Sequence, residues 1–520
     1  MNMDTTHFSS PPQSYWLAST DSTDYPELKE DISVDTVIIG GGMAGILCAY
    51  LLQREGVQSV ILEAQRILSG TTAHTTAKVT SQHGLIYDRI KKQRGTELAQ
   101  QYATANETAI HEIKKIADTL HIECDYMTQA AYVYAQDDKN IEKLENEIKT
   151  VTELGIKAAW VDDIPFPISI KGGMRFDEQA QFHPRKFLMP LAAKINSNGV
   201  HIYENSRVVD LEYGDMITVS TAQGKRVTAK KAIIASHYPF YNKHGMYYSR
   251  LYAERAYAIG ITVKEKYPGG MYINAEDPSR SLRCHPTEQG ELILVAGENH
   301  KTGQGKDMAN HYQELFNFAG EVFTMTDIHY RWSTQDCMTL DGVPYVGLYQ
   351  SDKPDLYIAT GFEKWGMTNS MASATILKDL ITKGSNPWQE VYNPSRKDIL
   401  AQVKTFVVEN ADVAKHLIKG KIAPIPDAVE INPGEGKVFE TDKGRTGVYR
   451  DENQELHLVN PTCTHMGCEL NWNSAEKSWD CPCHGSRFSW LGDIIEGPAV
   501  EPLSAEKDVN TIEKLIKDEY

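Results

Sequence analysis

The chain has 520 residues, 41% of them hydrophobic and 24% charged, enough for about three domains and too apolar for a disordered chain. Seventy acidic against 53 basic residues leave a net charge of -17, and the Lys and Arg are scattered, which excludes a nucleic-acid binder that works by a basic stripe. No window has the 18 or more uncharged apolar residues of a membrane span, and Met1 to Thr20 carries no basic and apolar leader pattern, so a soluble, cytoplasmic protein is expected. Cys48, Cys124, Cys284 and Cys337 are isolated, whereas Cys463, Cys468, Cys481 and Cys483 crowd together near the end. Isolated cysteines are usually core residues; a crowd predicts a metal or redox site.

Residues 1–32 read as a polar arm with Pro11, Pro12 and Pro26. Val34 to Ile39 is β-branched, short and stopped by three glycines, which predicts a buried strand. Met43 to Arg54 has helical apolar spacing and Val60 to Leu62 is a second strand, completing a βαβ unit. Tyr87 to Leu154 reads as helices broken by a strand-like patch at Tyr126 to Tyr134, and Ala258 to Ala296 as strands and turns; the two stretches predict a second domain interleaved with the first. Thr228 to Ala235 and Leu356 to Ala359 are strands expected to return to the first sheet.

Apolar residues recur at Leu400, Val403, Phe406, Val407, Ala414, Leu417 and Ile418, predicting a helix docked on the large domain. Pro424, Pro426, Pro433, Gly434 and Gly436 mark a linker, so 397–436 is helix and linker, and 437–520 reads as a small all-β domain.

Within that last domain lie two boxes, Cys463-Thr-His465-Met-Gly-Cys468 and Cys481-Pro-Cys483-His484-Gly-Ser486. Each offers a thiolate and an imidazole at short spacing. A [2Fe-2S] Rieske centre takes two Cys on one iron and two His on the other, which Cys463, His465, Cys481 and His484 supply. A structural Cys2His2 zinc site is the alternative, but its paired ligands are usually two to four residues apart, and only Thr464 separates Cys463 from His465. In the order of these residues, and in Gly497-Pro498-Ala499 after them, the chain's end resembles Rieske domains of the disulfide-containing type. That resemblance implies a disulfide between Cys468 and Cys483, and hydrogen bonds to the cluster sulfurs from a Ser and a Tyr after the second box. Ser486 is present; Phe488 stands at the Tyr position, so one donor is missing.

Gly40-Gly-Gly42-Met43-Ala44-Gly45 follows the first strand and opens the helix, and Glu63 closes the second strand. Gly40 permits the turn, Gly42 lets a pyrophosphate approach the helix N-terminus, Gly45 lets helix pack on strand, and Glu63 accepts from ribose hydroxyls. The following run, Ser69-Gly70-Thr71-Thr72-Ala-His74-Thr-Thr76-Ala-Lys78, is small and hydroxyl-rich, which suits a long cofactor, FAD, better than NAD.

This run resembles the D-amino-acid-oxidase-like (DAO) flavoproteins. So do Ser14-Tyr-Trp16, Phe182-His-Pro184, Thr228 to Ser236, Asp341-Gly-Val-Pro344, and Thr360-Gly361 through Gly366-Met367. The resemblance implies a DAO-type oxidoreductase over 33–396: a mixed α/β (α+β) Rossmann-like FAD-binding part (about 33–86, 181–257 and 336–396) interleaved with a substrate domain (about 87–180 and 258–335). It adds Val208, Ala235, Gly361, Gly366 and Met367 to the expected FAD contacts; His74, Arg331 and Trp365 are the catalytic candidates, and Trp365 and Arg331-Trp332 are candidates for the walls of the flavin pocket. Some relatives attach FAD through a His at a similar offset to His74; a His that merely neighbours the flavin is the alternative.

The function expected is oxidation of a small amine or amino-acid-like substrate by FAD, with electrons passed singly through the cluster to an unidentified acceptor. A ring-hydroxylating oxygenase would need a further iron held by two His and a carboxylate, and no such group is evident. An electron-transfer protein that serves a redox partner and has no organic substrate is the second reading.

Overall fold

The strand Ile32–Ile39 lies at the centre of an eight-stranded sheet, its last four residues buried: Ile38 faces the core shared with the helices, and Val37 and Ile39 face a core shared with Val208, Leu211, Ile217 and Val219. It pairs in parallel with Ser59–Leu62 on one side and Arg226–Ile234 on the other. His201–Tyr203 and Leu356–Thr360 extend the two flanks, also in parallel, and Tyr345–Leu348 closes one edge antiparallel. The helix Met43–Arg54 returns from the first strand and is buried over its first ten residues, packed mainly on Gly366–Lys383. This is a computed structural model, and it describes residues 11–241, 245–305, 307–396, 399–422, 431–441 and 444–505. Residues 1–10 of the expected arm, Pro424 and Pro426 of the linker and the stretch 506–520 lie outside the described residues.

A nine-stranded sheet stands against the first. Its strands run in the order Met325–Thr339, Leu251–Val263, Gly290–Lys301, Arg280–Thr287, Met271–Asn274, Met127–Ala135, Gly172–Gln181 and Lys78–Val79, with Ala158–Val161 paired to Gly172–Gln181. The boundaries expected at 257 and 335 need correction. Both fall inside long strands, Leu251–Val263 and Met325–Thr339, which pair along their whole length and run unbroken from one part into the other. Lys78–Val79 also belongs to this second sheet.

The polar arm needs correction too. Tyr15–Ala18 is a helical turn that inserts into the main core, with Trp16 fully buried and its indole N–H donating to the Thr75 carbonyl at 2.6 Å. Ser14 adds a hydrogen bond to the Ala73 carbonyl. The segment straps down the hydroxyl-rich run, and an arm judged by its prolines and polar residues hides this anchor.

Beyond the helix Ile399–Ile422 the chain forms a three-stranded sheet (Gly436–Thr441, Gly444–Arg450, Leu456–Val459) and a four-stranded one (Asn471–Asn473, Ser478–Asp480, Arg487–Ser489, Ile494–Glu496). Val459, Leu470, Trp479 and Phe488 build a core together with the four clustered cysteines. The helix docks on the large domain as expected, through Glu409, Asn410 and Asp412, which bond Lys301, Ser249 and Gln304, but its apolar stripe departs from expectation. Val413 and Leu417 pack on this small domain, while Val403, Phe406 and Val407 of the apolar stripe are exposed. The side chains of Leu400 and Ile418 lie outside the described residues.

Candidate functional site

Two sites meet in this structure. The first is a long cavity between the two large sheets. At one end the helix N-terminus opens into it, so that Gly40, Gly42, Met43 and Ala44 form its wall, and the amides of that first turn other than that of Met43 are left to an anion. The Thr72 hydroxyl accepts from the Met43 amide at 3.1 Å, tying the hydroxyl-rich run to the same turn. Gly45 lies behind the wall. A Cβ there would overlap the carbonyl oxygen of Gly40, so only glycine lets the helix sit this close to the strand.

Glu63 accepts from the amides of Gly41 at 2.7 Å and Gln65 at 3.0 Å. Burial pushes its carboxyl up, against the pull of those amides and of Arg207. Gly70, Thr71, Thr72, His74, Thr76 and Lys78 continue the wall, with Val208, Ala235, Trp365, Gly366 and Met367. Gly361 is not part of it; a side chain there would meet Thr339 and Leu251 instead.

Of the catalytic candidates, His74 and Trp365 face the cavity. The His74 ring bonds through Nδ1 to the Gly70 carbonyl at 2.9 Å. Arg331 does not line the cavity. Successive residues of a strand point to opposite faces, and it is Trp332 that lines the cavity, its indole donating to the His74 carbonyl at 2.9 Å, while the Arg331 guanidinium stacks 5.3 Å from the Tyr312 ring centre. His83 and His183 are structural. His83 bonds the Tyr102 hydroxyl at 2.7 Å, and His183 caps the helix Pro184–Ser197 by accepting from the Lys186 amide.

The second site is a pair of matching loops. In the first, the Cys463 amide donates to the Cys468 carbonyl at 2.8 Å and the Gly467 amide to the Cys463 carbonyl at 2.9 Å. In the second, Cys481 donates to the Ser486 carbonyl at 2.8 Å and Gly485 to the Cys481 carbonyl at 3.1 Å. Both turns pass through a left-handed glycine, φ +75° at Gly467 and +77° at Gly485, which explains why each box ends in glycine and one more residue. The turn aims the amides two and three residues on, His465 and Met466 in one loop and Cys483 and His484 in the other, at the cysteine sulfur.

The loops face each other. The rings of His465 and His484 stand 5.0 Å apart, Cys463 and Cys481 are close enough to shift one another's thiol, and Cys468 and Cys483 form a disulfide with Cα atoms 6.5 Å apart. Burial pushes both imidazoles down, to about 4 for His465 and about 3 for His484, so both are neutral, as ligands must be. The Cys481 contact, with the Ser486 hydroxyl and the loop amides, brings the Cys463 thiol down to about 7. His484 Nδ1 is buried without a hydrogen-bond partner, which fits an atom meant for a metal. Phe488 is fully buried and offers no donor, as its sequence position implies.

The two sites share a boundary that sequence reasoning missed. Residues 495–500 of the small domain form part of the cavity wall. Gln65 and Arg207 both donate to the Ile494 carbonyl, at 3.3 and 3.5 Å. Gln335 lines the cavity, and its amide donates to the carbonyl of Gly485, inside the second cluster loop, at 3.0 Å. Arg255, 1% exposed, crosses to Glu496 at 3.1 Å, and Arg487 meets the same carboxylate at 3.0 Å. Burial alone would push Glu496 up, but the two guanidiniums outweigh it and hold the carboxyl at about 2. No motif announces these residues, because each is an ordinary strand residue until the domains meet.

Residues 35–380 match the family described as FAD dependent oxidoreductase (DAO), and residues 421–512 match the Rieske [2Fe-2S] domain. The chain therefore belongs to the DAO family of FAD-dependent oxidoreductases, in a form that carries a Rieske domain at its C-terminal end, and its cofactors are FAD and a [2Fe-2S] cluster. It is 43% identical to YhfW of Bacillus subtilis (strain 168), described as a Rieske 2Fe-2S iron-sulfur protein, over 95% of this chain and 97% of that one. Gamma-glutamylputrescine oxidoreductase of Escherichia coli (strain K12) is 27% identical over 43% of this chain and 54% of its own. The crystal structure of glycine oxidase from Geobacillus kaustophilus superposes with a TM-score of 0.59 at 16% identity, covering 70% of this chain and 99% of that one, which shows the fold.

Proposed function

We propose that the protein oxidises a small amine or amino-acid-like substrate in the flavin cavity and passes the electrons singly to its own Rieske cluster, from which a separate acceptor collects them. The observation that carries this reading is Gln335, one side chain that borders the cavity and bonds the loop of the cluster ligands Cys481 and His484. When bound, FAD supplies the means to take two electrons at once and release them one at a time, and the cluster carries one. The chain's part is to hold the pyrophosphate at Gly40 to Ala44, the ribose at Glu63, and the cluster at Cys463, His465, Cys481 and His484.

The amine class is supported by the named activities of the relatives, gamma-glutamylputrescine oxidoreductase and, for the fold, glycine oxidase. An organic substrate is supported by the cavity itself. It extends beyond the glycine turn to a wall of Tyr257, Ile273, Ser281 and Trp332 from the second sheet, more than an electron carrier needs. A cytoplasmic site of action belongs to the same proposal; no helix among the described residues is long and apolar enough to cross a membrane.

Anaerobic mixing of the holoprotein with a panel of amines, amino acids and N-methyl amino acids tests the reading. At least one compound is expected to bleach the flavin and then raise the paramagnetic signal of a reduced Rieske centre. Bleaching by none of them, with ready reduction by a protein electron donor, would favour a carrier without an organic substrate.

A further inference from the structure

We propose that Lys78 is the group that takes the proton from the substrate's nitrogen, a role that rests on the amine-oxidising reading above. Lys78 sits on the two-residue strand Lys78–Val79, paired with Ala180 and Gln181, and its side chain reaches Met271–Asn274 and Arg280–Thr287, strands of the same sheet that are not neighbours of its own. Its Nζ donates to the Ser281 hydroxyl and to the Tyr272 carbonyl at 3.3 Å. Lys78 is 9% exposed, and both it and Ser281 line the cavity.

A buried ammonium normally has a carboxylate beside it. Here, among the described residues, the charged group that acts on Lys78 is a second cation, Arg283, which is fully buried and held by the carbonyls of Thr76 and Ala77 and by His285. The acid of that network, Asp125, is placed on His285 at 3.5 Å and on Lys186. Burial first, and Arg283 second, bring the Lys78 amine down to about 7, so a large share of it is neutral at neutral pH.

The chemistry needs such a group. An amine substrate arrives as an ammonium, with the nitrogen lone pair held in an N–H bond, and the adjacent C–H bond cannot deliver hydride until that pair is free. Lys78 Nζ accepts the N–H proton and becomes the ammonium. The freed pair forms the C=N bond as the hydride, with both C–H electrons, leaves for the enzyme's oxidant, FAD. Substrate is oxidised to an iminium, FAD is reduced by two electrons, and the extra proton rests on Lys78 until water removes it. The Ser281 hydroxyl and Tyr272 carbonyl hold the lysine in place in both states.

The experiment uses the FAD-loaded, cluster-containing protein and the Lys78→Met and Lys78→Arg variants, with FAD content measured first. Acetic anhydride labels only a neutral amine, so labelling of Lys78 against pH, read by mass spectrometry, is expected to have its midpoint near 7, not near the ordinary value of about 10. Anaerobic bleaching by a reactive amine is expected to rise with pH through the same midpoint in the natural protein. Both variants are expected to bleach roughly 100-fold more slowly at pH 7 and to recover only as the amine itself loses its proton, since Arg keeps the charge but cannot accept a proton. An ordinary labelling midpoint, no labelling at any pH, or variants that bleach at the natural rate and pH profile would each overturn the assignment. If the natural protein is bleached by no amine, the amine reading itself fails; if it is bleached and the variants match it, only Lys78 is wrong. Should Lys78→Met fail to fold, the labelling midpoint and Lys78→Arg decide.

Discussion

At the scale of single residues the sharpest expectations concern atoms with no room to move. Gly45→Ala puts a methyl group into the Gly40 carbonyl, so the protein is expected to purify without FAD while its cluster still forms, which absorbance at the flavin and cluster bands would check. His465→Ala is expected to remove the cluster and leave the flavin bound. Phe488→Tyr offers the buried position beside Trp479 a hydroxyl. It is expected to raise the cluster's midpoint potential within the range of roughly -150 to +300 mV spanned by Rieske centres, as redox titration would show. A potential that falls would refute the account of the sulfur hydrogen bonds. All these residues are legible in the sequence, because their chemistry is written in spacing along the chain. Trp332 and Arg331 show where that stops. Adjacent residues of a strand face opposite ways, and which one meets the cavity is decided by the register with Ala258 and Ile259, which spacing does not reveal. Trp16 was legible as a motif but not as an anchor, since its partner Thr75 lies 59 residues away.

At the scale of elements, the strand Ile494–Glu496 and the strands Leu251–Val263 and Met325–Thr339 decide whether the two cofactors meet. Arg255 is buried and reaches Glu496 at 3.1 Å and Glu476 at 3.6 Å, so Arg255→Met removes the guanidinium that crosses to the small domain and leaves both carboxylates to Arg487. A loss of about 1.5–3 kcal/mol in the docking of the small domain is expected, the size of a hydrogen bond to a charged group, because Glu496 keeps its pair with Arg487. Chemical denaturation followed separately at the flavin and the cluster would show the cluster domain releasing first.

The Glu496 carboxylate, held by Arg487 first and Arg255 second, sets a pH dependence. Glu496 is held at about 2, below the ordinary carboxylate value, so its stabilising effect is complete above about 4.5 and is lost as pH falls from there toward 2. Acid is therefore expected to loosen the docked domain before the flavin sheet unfolds. If the cluster domain stays docked to pH 2, the ion pair does not hold the interface. The expected element types along the chain were readable from apolar periodicity. The expected boundaries at 257 and 335 were not, because a long strand carries no mark where it passes from one core to the other.

At the scale of the whole molecule, a Rieske domain closes one side of a flavin cavity, with Gln335, Arg255, Gln65 and Arg207 fastening it there. The central claim is that electrons cross this boundary within one chain. The most direct measurement is rapid anaerobic mixing with a substrate that bleaches the flavin, following the flavin and the cluster at their separate bands over a tenfold range of protein concentration. The account predicts that the cluster is reduced after the flavin, by a first-order step whose rate does not change with protein concentration. A rate that grows in proportion to concentration, or a cluster that stays oxidised beside a fully reduced flavin, would contradict it.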